Sequence, residues 1–199
     1  MMAANLVPLT GCCPMAELKS EPMSAEAFLA WCLDREERYE LVDGLPRMMT
    51  GARRAHDRVV LNALIAFGGL LRGSPCEPGS ADIAVRIPNG NVRRPDVSID
   101  CGDKDGSLLE ATRPVAIVEV LSPSTRQTDL IRKLGEYQTL PSLCYLLFLE
   151  PEEVSAVFWH RVPGGTWTYL SLIGRDTDIA MPEVGVTLPL GAFYEGTDA

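Results

Sequence analysis

Between Pro114 and Pro123 the chain runs Val115-Ala116-Ile117-Val118-Glu119-Val120-Leu121, an apolar stretch broken by a single carboxylate. The run is strand length, and its β-branched side chains favour extended backbone. Apolar residues at both odd and even positions mean that both faces are buried, which predicts a central strand covered on two sides. Glu119 is the expensive element. Burying an ionised carboxylate among Val, Ile and Leu costs several kcal/mol unless a cation compensates it.

The surrounding pattern supplies the layers. Ser24 precedes Ala27, Phe28 and Trp31 at helical spacing and predicts a short capped helix. Arg38 to Thr50 alternates polar and apolar around Asp43-Gly44, a hairpin signal. Arg53 to Leu71 carries Val59, Val60, Ala63, Leu64, Phe67 and Leu71 on one helical face, ended by Gly73. Strands are expected around Cys76, over 81–87 and over 93–101, with a turn at Pro88-Asn89-Gly90-Asn91. After the central strand, Ser122 and Ser124 open a helix running to about Leu140, and Leu143–Leu149 reads as another buried strand. A hairpin over 154–172, turning at Pro163-Gly164-Gly165, accounts for Trp159, His160 and Trp167 by cross-strand packing. A short strand near Val186 and a helical turn near Ala192 close the chain. The order predicts an α/β or α+β domain around a mixed sheet flanked by helices, with an additional N-terminal hairpin.

With 199 residues and 46% hydrophobic content, the chain can bury one core. A single domain over 23–199 is expected, preceded by a poorly ordered tail over 1–22. No apolar run is long enough to span a membrane, and residues 1–15 lack the basic start of a secretory signal. Cys12, Cys13, Cys32, Cys76, Cys101 and Cys144 form no C-x-x-C pair, and there are two His. A structural zinc site is therefore disfavoured, and the thiols read as reduced, core-filling and cytoplasmic. The formal charge of −9 runs against a broad nucleic-acid-binding face. Phosphate binding would need a local basic strip, for which Arg53, Arg54, Arg58, Arg93 and Arg94 are the candidates.

Two carboxylates demand partners: Glu119, and Asp96 in Arg94-Pro95-Asp96-Val97. The following helix places Asp129, Lys133 and Tyr137 at successive i, i+4 steps on one face. Folding back over the sheet, it brings Lys133 to Glu119. Two carboxylates and an ammonium are the equipment for a divalent ion and a water attacking a phosphodiester. The same groups also make a structural ion pair, and these residues alone leave both readings open.

Taken in order, Tyr39-Glu40-Leu41-Val42-Asp43-Gly44, His56, Arg94-Pro95-Asp96-Val97, Val118-Glu119-Val120-Leu121-Ser122-Pro123-Ser124-Thr125, Asp129, Lys133 and Tyr137 resemble the Uma-two family of restriction-endonuclease-like proteins in the PD-(D/E)XK nuclease superfamily. The resemblance runs from about residue 23 to the C-terminus. It implies a restriction-endonuclease-like core and Mg²⁺- or Mn²⁺-dependent hydrolysis of phosphodiesters, with DNA rather than RNA as substrate and a homodimer for cutting both strands. Asp96 and Glu119 then match the metal-binding acids, joined by the Val120 carbonyl and by Glu40 directly or through water. The position two places after Glu119, where the superfamily's Lys stands, is Leu121, so Lys133 takes that role from the helix. His56, Arg53 and Arg94 are the implied nucleic-acid contacts. Asp82 is a weaker candidate for the same cleft. The rival reading is a non-catalytic member of the fold serving as a binding or assembly module.

Overall fold

The computed structural model describes residues 21–122 and 128–199, and for residues 128 and 129 the backbone alone. The tail expected over 1–22 lies outside these residues except for 21 and 22, as does the cap expected at Ser124.

Helix α1 (Ala25–Cys32) begins where expected, with Ser24 Oγ accepting from the Ala27 amide at 3.2 Å. Strands β1 (Tyr39–Val42) and β2 (Leu45–Met48) form the N-terminal hairpin. Asp43 and Gly44 both take positive φ, 53° and 77°, the mirror-image turn that matches strand twist. Helix α2 (Arg54–Leu70) follows. Next come β3 (Glu77–Ser80), β4 (Val85–Arg86), β5 (Val92–Arg93), β6 (Val97–Asp100) and β7 (Pro114–Val120). Helix α3 (Thr128–Gln138) crosses to β8 (Tyr145–Leu149), and β9 (Ser155–Arg161) pairs with β10 (Trp167–Ile173) in the expected hairpin. Strands β11 (Asp178–Met181) and β12 (Val186–Pro189) form a closing ribbon, of which only the second was anticipated.

The central sheet has six strands in the order β10-β9-β8-β7-β6-β3. Strands β7 and β8 are parallel, and the other neighbours are antiparallel, so the sheet is mixed as expected. A smaller sheet in the order β2-β1-β5-β4 carries the hairpin. The single strand expected over 93–101 is in fact two. Val92–Arg93 belongs to the small sheet and Val97–Asp100 to the large one. Pro95 lies between them, where the absent N–H breaks the ladder.

The alternation along β7 decides where Glu119 goes. Ala116, Val118 and Val120 face a core with Val59, Ala63 and Phe67 of α2. Ile117 faces the other core, with Tyr137, Leu140 and Leu146. Glu119 shares the parity of Ile117 and so lies beneath α3. The central run is thus a strand covered on two sides, and every residue of β7 is buried.

One cysteine expectation is corrected. Cys76 and Cys101 are joined by a disulfide. The pairing of β3 with β6 puts Glu77 opposite Asp100, so the residues flanking that pair face each other one step on. That juxtaposition is invisible until the strand register is known. Cys32 and Cys144 carry free thiols, and the cysteines no longer argue as a set for a reducing compartment. Among the described residues, no helix is long and apolar enough to cross a membrane. A crosslink of this span constrains the unfolded chain by about 2–4 kcal/mol. Dithiothreitol should lower the stability read from urea unfolding by roughly that amount. A Cys76→Ala/Cys101→Ala variant should show no response to the reductant.

Candidate metal and catalytic site

The site assembles where the ends of β6 and β7 meet the flanking helices. Val97 pairs with Val118, so continuing the register sets Asp96 beside Glu119. The Val120 amide donates to Asp96 Oδ2 at 2.8 Å, fixing the Asp96 carboxylate on the end of β7. His56, in the first turn of α2, brings Nε2 to 3.3 Å from the same oxygen. Burial opposes a charged imidazole, but the Asp96 hydrogen bond, the Asp96 and Glu119 charges and a hydrogen bond to the Val120 main chain outweigh it. The His56 pKa therefore lies above its ordinary value. His56 thus reaches two of the groups expected as metal ligands.

Glu119 is answered from α3. Lys133 Nζ donates to its two oxygens at 3.0 and 3.2 Å, and the Tyr137 hydroxyl donates to Oε1 at 2.6 Å. Residues 133 and 137 are one helical turn apart, so both side chains come down on the same strand position. Even so, burial pushes Glu119 up to about 7, and the Asp96 and Glu40 charges add to that push while Lys133 and Tyr137 resist it. Burial and the Glu119 charge likewise hold Tyr137 well above the usual phenol range, so its hydroxyl stays a donor.

Glu40 comes in from β1. Its Oε2 accepts from Arg93 at 2.8 Å, its Oε1 accepts from the Arg94 amide at 3.2 Å, and Lys133 lies 3.6 Å from Oε1. Arg93 also donates to Glu136 on α3 at 2.6 Å. Glu136 accepts further from Asn91 at 2.7 Å and from Arg132 at 3.0 Å. The three groups Asp96, Glu119 and Glu40, which the sequence placed on separate strands, meet in one layer of charge beneath α3. Sequence reasoning missed Glu136 and gave Tyr137 no partner in that layer. Their spacing from Lys133 on an amphipathic helix was the available signal.

Arg94 requires correction as a nucleic-acid contact. Its side chain donates to the carbonyls of Tyr39, Ala81 and Asp82, and the residue is buried. The guanidinium therefore ties β1 to the turn that follows β3. Arg53 remains available, with a 75% exposed side chain that reaches Glu152 at 3.8 Å. Asp82 is engaged by Arg38 at 2.6 Å, away from the carboxylate pair. The side chain of Asp129 lies outside the described part of the chain.

Two hard carboxylates on adjacent strands, with a main-chain carbonyl beside them, are the donor chemistry of Mg²⁺ or Mn²⁺. Among the described residues, no three His, Cys, Asp or Glu side chains converge as a ready cage. The raised Glu119 is also the electrostatic condition that a divalent charge would relieve. The residues fit the ion.

Glu136 gives the site a pH signature. Burial opposes its charge, but the hydrogen bonds from Arg93 and Arg132 outweigh that and hold its carboxyl below the ordinary carboxylate value. A carboxylate lowered by folding contributes stability that is present above its unfolded pKa and lost as pH falls through the folded one. Glu136→Gln should therefore be less stable than the parent at pH 7. The gap between their urea midpoints should shrink as pH drops through and below the ordinary carboxylate range.

Residues 25–191 match the family described as "Putative restriction endonuclease". An uncharacterized protein, slr1290, of Synechocystis sp. is 30% identical over 176 residues, covering 87% of this chain and 92% of the relative. A crystal structure described as a putative nuclease belonging to DUF820, from Anabaena variabilis, superposes with a TM-score of 0.68 at 13% identity, covering 86% of this chain and 97% of that one. That likeness bears out the expected fold. The match across nearly all of the described residues places this chain in the Uma2 family of restriction-endonuclease-like proteins.

Proposed function

We propose that the protein is a metal-dependent endonuclease that hydrolyses phosphodiester bonds in DNA, with Mg²⁺ or Mn²⁺ held by Asp96, Glu119 and the Val120 carbonyl. The observation that carries this reading is the cross-strand pair of half-buried Asp96 and buried Glu119, with Lys133 from the facing helix on Glu119. The restriction-endonuclease description of the family and the nuclease description of the Anabaena protein point to the same class of reaction.

When bound, a divalent ion supplies a positive charge for the phosphoryl oxygens and lowers the pKa of coordinated water. The chain's own residues do the rest. Tyr137 and Lys133 hold Glu119 in place, and the Val120 amide and His56 hold Asp96. Lys133 orients the attacking water and stabilises charge developing at phosphorus. Glu40 supports Lys133 from the other side of the ammonium and would join the set holding the ion, directly or through water. Arg53 offers an exposed cation to a flanking phosphate, giving the acidic chain a local basic contact. Cutting both strands of a duplex calls for two copies of the site, so a homodimer belongs to the proposal.

A specific observation favours the rival reading of a binding or assembly module. Each site carboxylate already has a cation beside it: His56 with Asp96, Lys133 with Glu119, and Arg93 with Glu40. Calorimetric titration of Mg²⁺ or Mn²⁺ separates the two. The parent should bind saturably, and Asp96→Asn/Glu119→Gln should not. On plasmid DNA, Lys133→Ala should lower the cleavage rate on the order of 10²–10³-fold while leaving metal binding in place. A parent protein that neither binds the ions nor cleaves DNA would favour the module.

A further inference from the structure

We propose that Arg93 is a positioning residue that assigns Lys133 to Glu119 by removing Glu40 as a competitor. The effect on catalysis rests on the nuclease reading above, but the positioning itself does not.

Lys133 stands between two carboxylates. Glu119 is at 3.0 Å and Glu40 at 3.6 Å, and each side chain is largely buried. In a partly desolvated site, an ammonium between two anions goes to whichever is less satisfied. Glu119 has the Tyr137 hydroxyl as its partner besides Lys133. Glu40 would be the stronger attractor if it were free. It is not free, because Arg93 donates to Oε2 at 2.8 Å and the Arg94 amide donates to Oε1. The guanidinium neutralises Glu40, and Lys133 leans toward Glu119.

The same guanidinium fixes the helix that carries the ammonium. Arg93 is 1% exposed and donates from Nε to Glu136 at 2.6 Å. Glu136 lies three residues after Lys133, on the face turned to the sheet. Asn91 and Arg132 extend the hold: Asn91 donates to Glu136 and accepts from the Asp43 amide, while Arg132 donates to Glu136 and to Asp43. Helix α3 is thus pinned by charge at two points one turn apart, Glu119 through Lys133 and Arg93 through Glu136. A planar fork with several fixed donors can hold two carboxylates at once, and a lysine ammonium at that position cannot match it. Burying such a group is a poor way to gain stability alone, since apolar replacements of buried ion pairs are often neutral or better. Its placement makes sense as a geometric device for the ammonium.

The test reads Lys133 directly. The ¹⁵N–¹H correlation of its ammonium, assigned by its loss in Lys133→Met, reports which carboxylate holds it. In Arg93→Gln the signal should shift or broaden as Lys133 moves toward the freed Glu40. In Arg93→Gln/Glu40→Gln it should return to the parent position, although the clamp is still absent. A merely structural role gives no such return. Arg93→Lys, which retains the charge, should move the signal in the same direction but less far. In cleavage assays, Arg93→Lys should slow single turnover on the order of tenfold or more with DNA affinity unchanged. It should add nothing further in a Lys133→Ala background, because both act through the same ammonium. An unshifted Lys133 signal in folded Arg93 variants, or no return in the double variant, overturns the proposal. Failure of both Arg93 variants to fold also overturns it and makes Arg93 a purely structural group. A parent protein with no cleavage removes the nuclease reading, and the ammonium signal still decides the role of Arg93.

Discussion

The structure turns on one buried carboxylate and how it is compensated. Glu119 sits in the middle of a sheet covered on two sides, on a strand with no exposed residue. Its charge is tolerated because Lys133 and Tyr137 descend on it from α3. The consequence reaches past the pair. An ammonium and a phenol can meet a strand position only if the helix above it has the right rotation and height. The Glu119 contact therefore specifies α3, and α3 in turn specifies which apolar side chains seal that face of the sheet. Removing the carboxylate would take the nearer anion from a largely buried ammonium, and such half-broken pairs are costly.

A second layer of charge repeats this logic between the small sheet and α3. Arg93 belongs to the small sheet, Glu136 to the helix and Glu40 to the hairpin. Their junction welds the N-terminal hairpin onto the face of the large sheet that bears Glu119. The hairpin would otherwise rest on a modest apolar cluster around Phe28, Leu41 and Val92. Polar contacts of this kind are directional where apolar packing is not, so they fix register and orientation. The described residues thus form two larger apolar cores and a smaller one that supply most of the driving force, and a band of charge beneath α3 that supplies the geometry.

How much of this was legible in the sequence depended on whether the information was local. The Ser24 cap, the Asp43-Gly44 turn, the α2 stripe and the Val115–Leu121 strand are written in consecutive residues, and all four are present. Lys133 meeting Glu119 was legible too, because a strand, a turn and a returning helix leave little choice of partner. What could not be read was pairing between distant segments. The Cys76–Cys101 bond needs the register of β3 on β6. The fate of Arg94, which read as a nucleic-acid contact, depends on three carbonyls 12, 13 and 55 residues away. A run of basic residues reads alike whether it faces solvent or a buried carbonyl, and only the fold distinguishes Arg53 from Arg94.

On the proposed function, the place of Lys133 on a helix has a physical consequence. Two places after Glu119, just past the end of β7, stands Leu121, which packs with the α3-side core. A lysine there would have its stem set by the strand and would need no further help. A lysine on a helix has its reach set by the whole helix, and any rotation of α3 would carry Lys133 off Glu119. Moving the ammonium from strand to helix therefore creates a requirement for an anchor that the strand arrangement lacks. The Arg93–Glu136 contact, one turn beyond Lys133 and on the same face, stands where such an anchor is needed. On the proposed function, the buried arginine and the lysine carried on the helix belong to one arrangement.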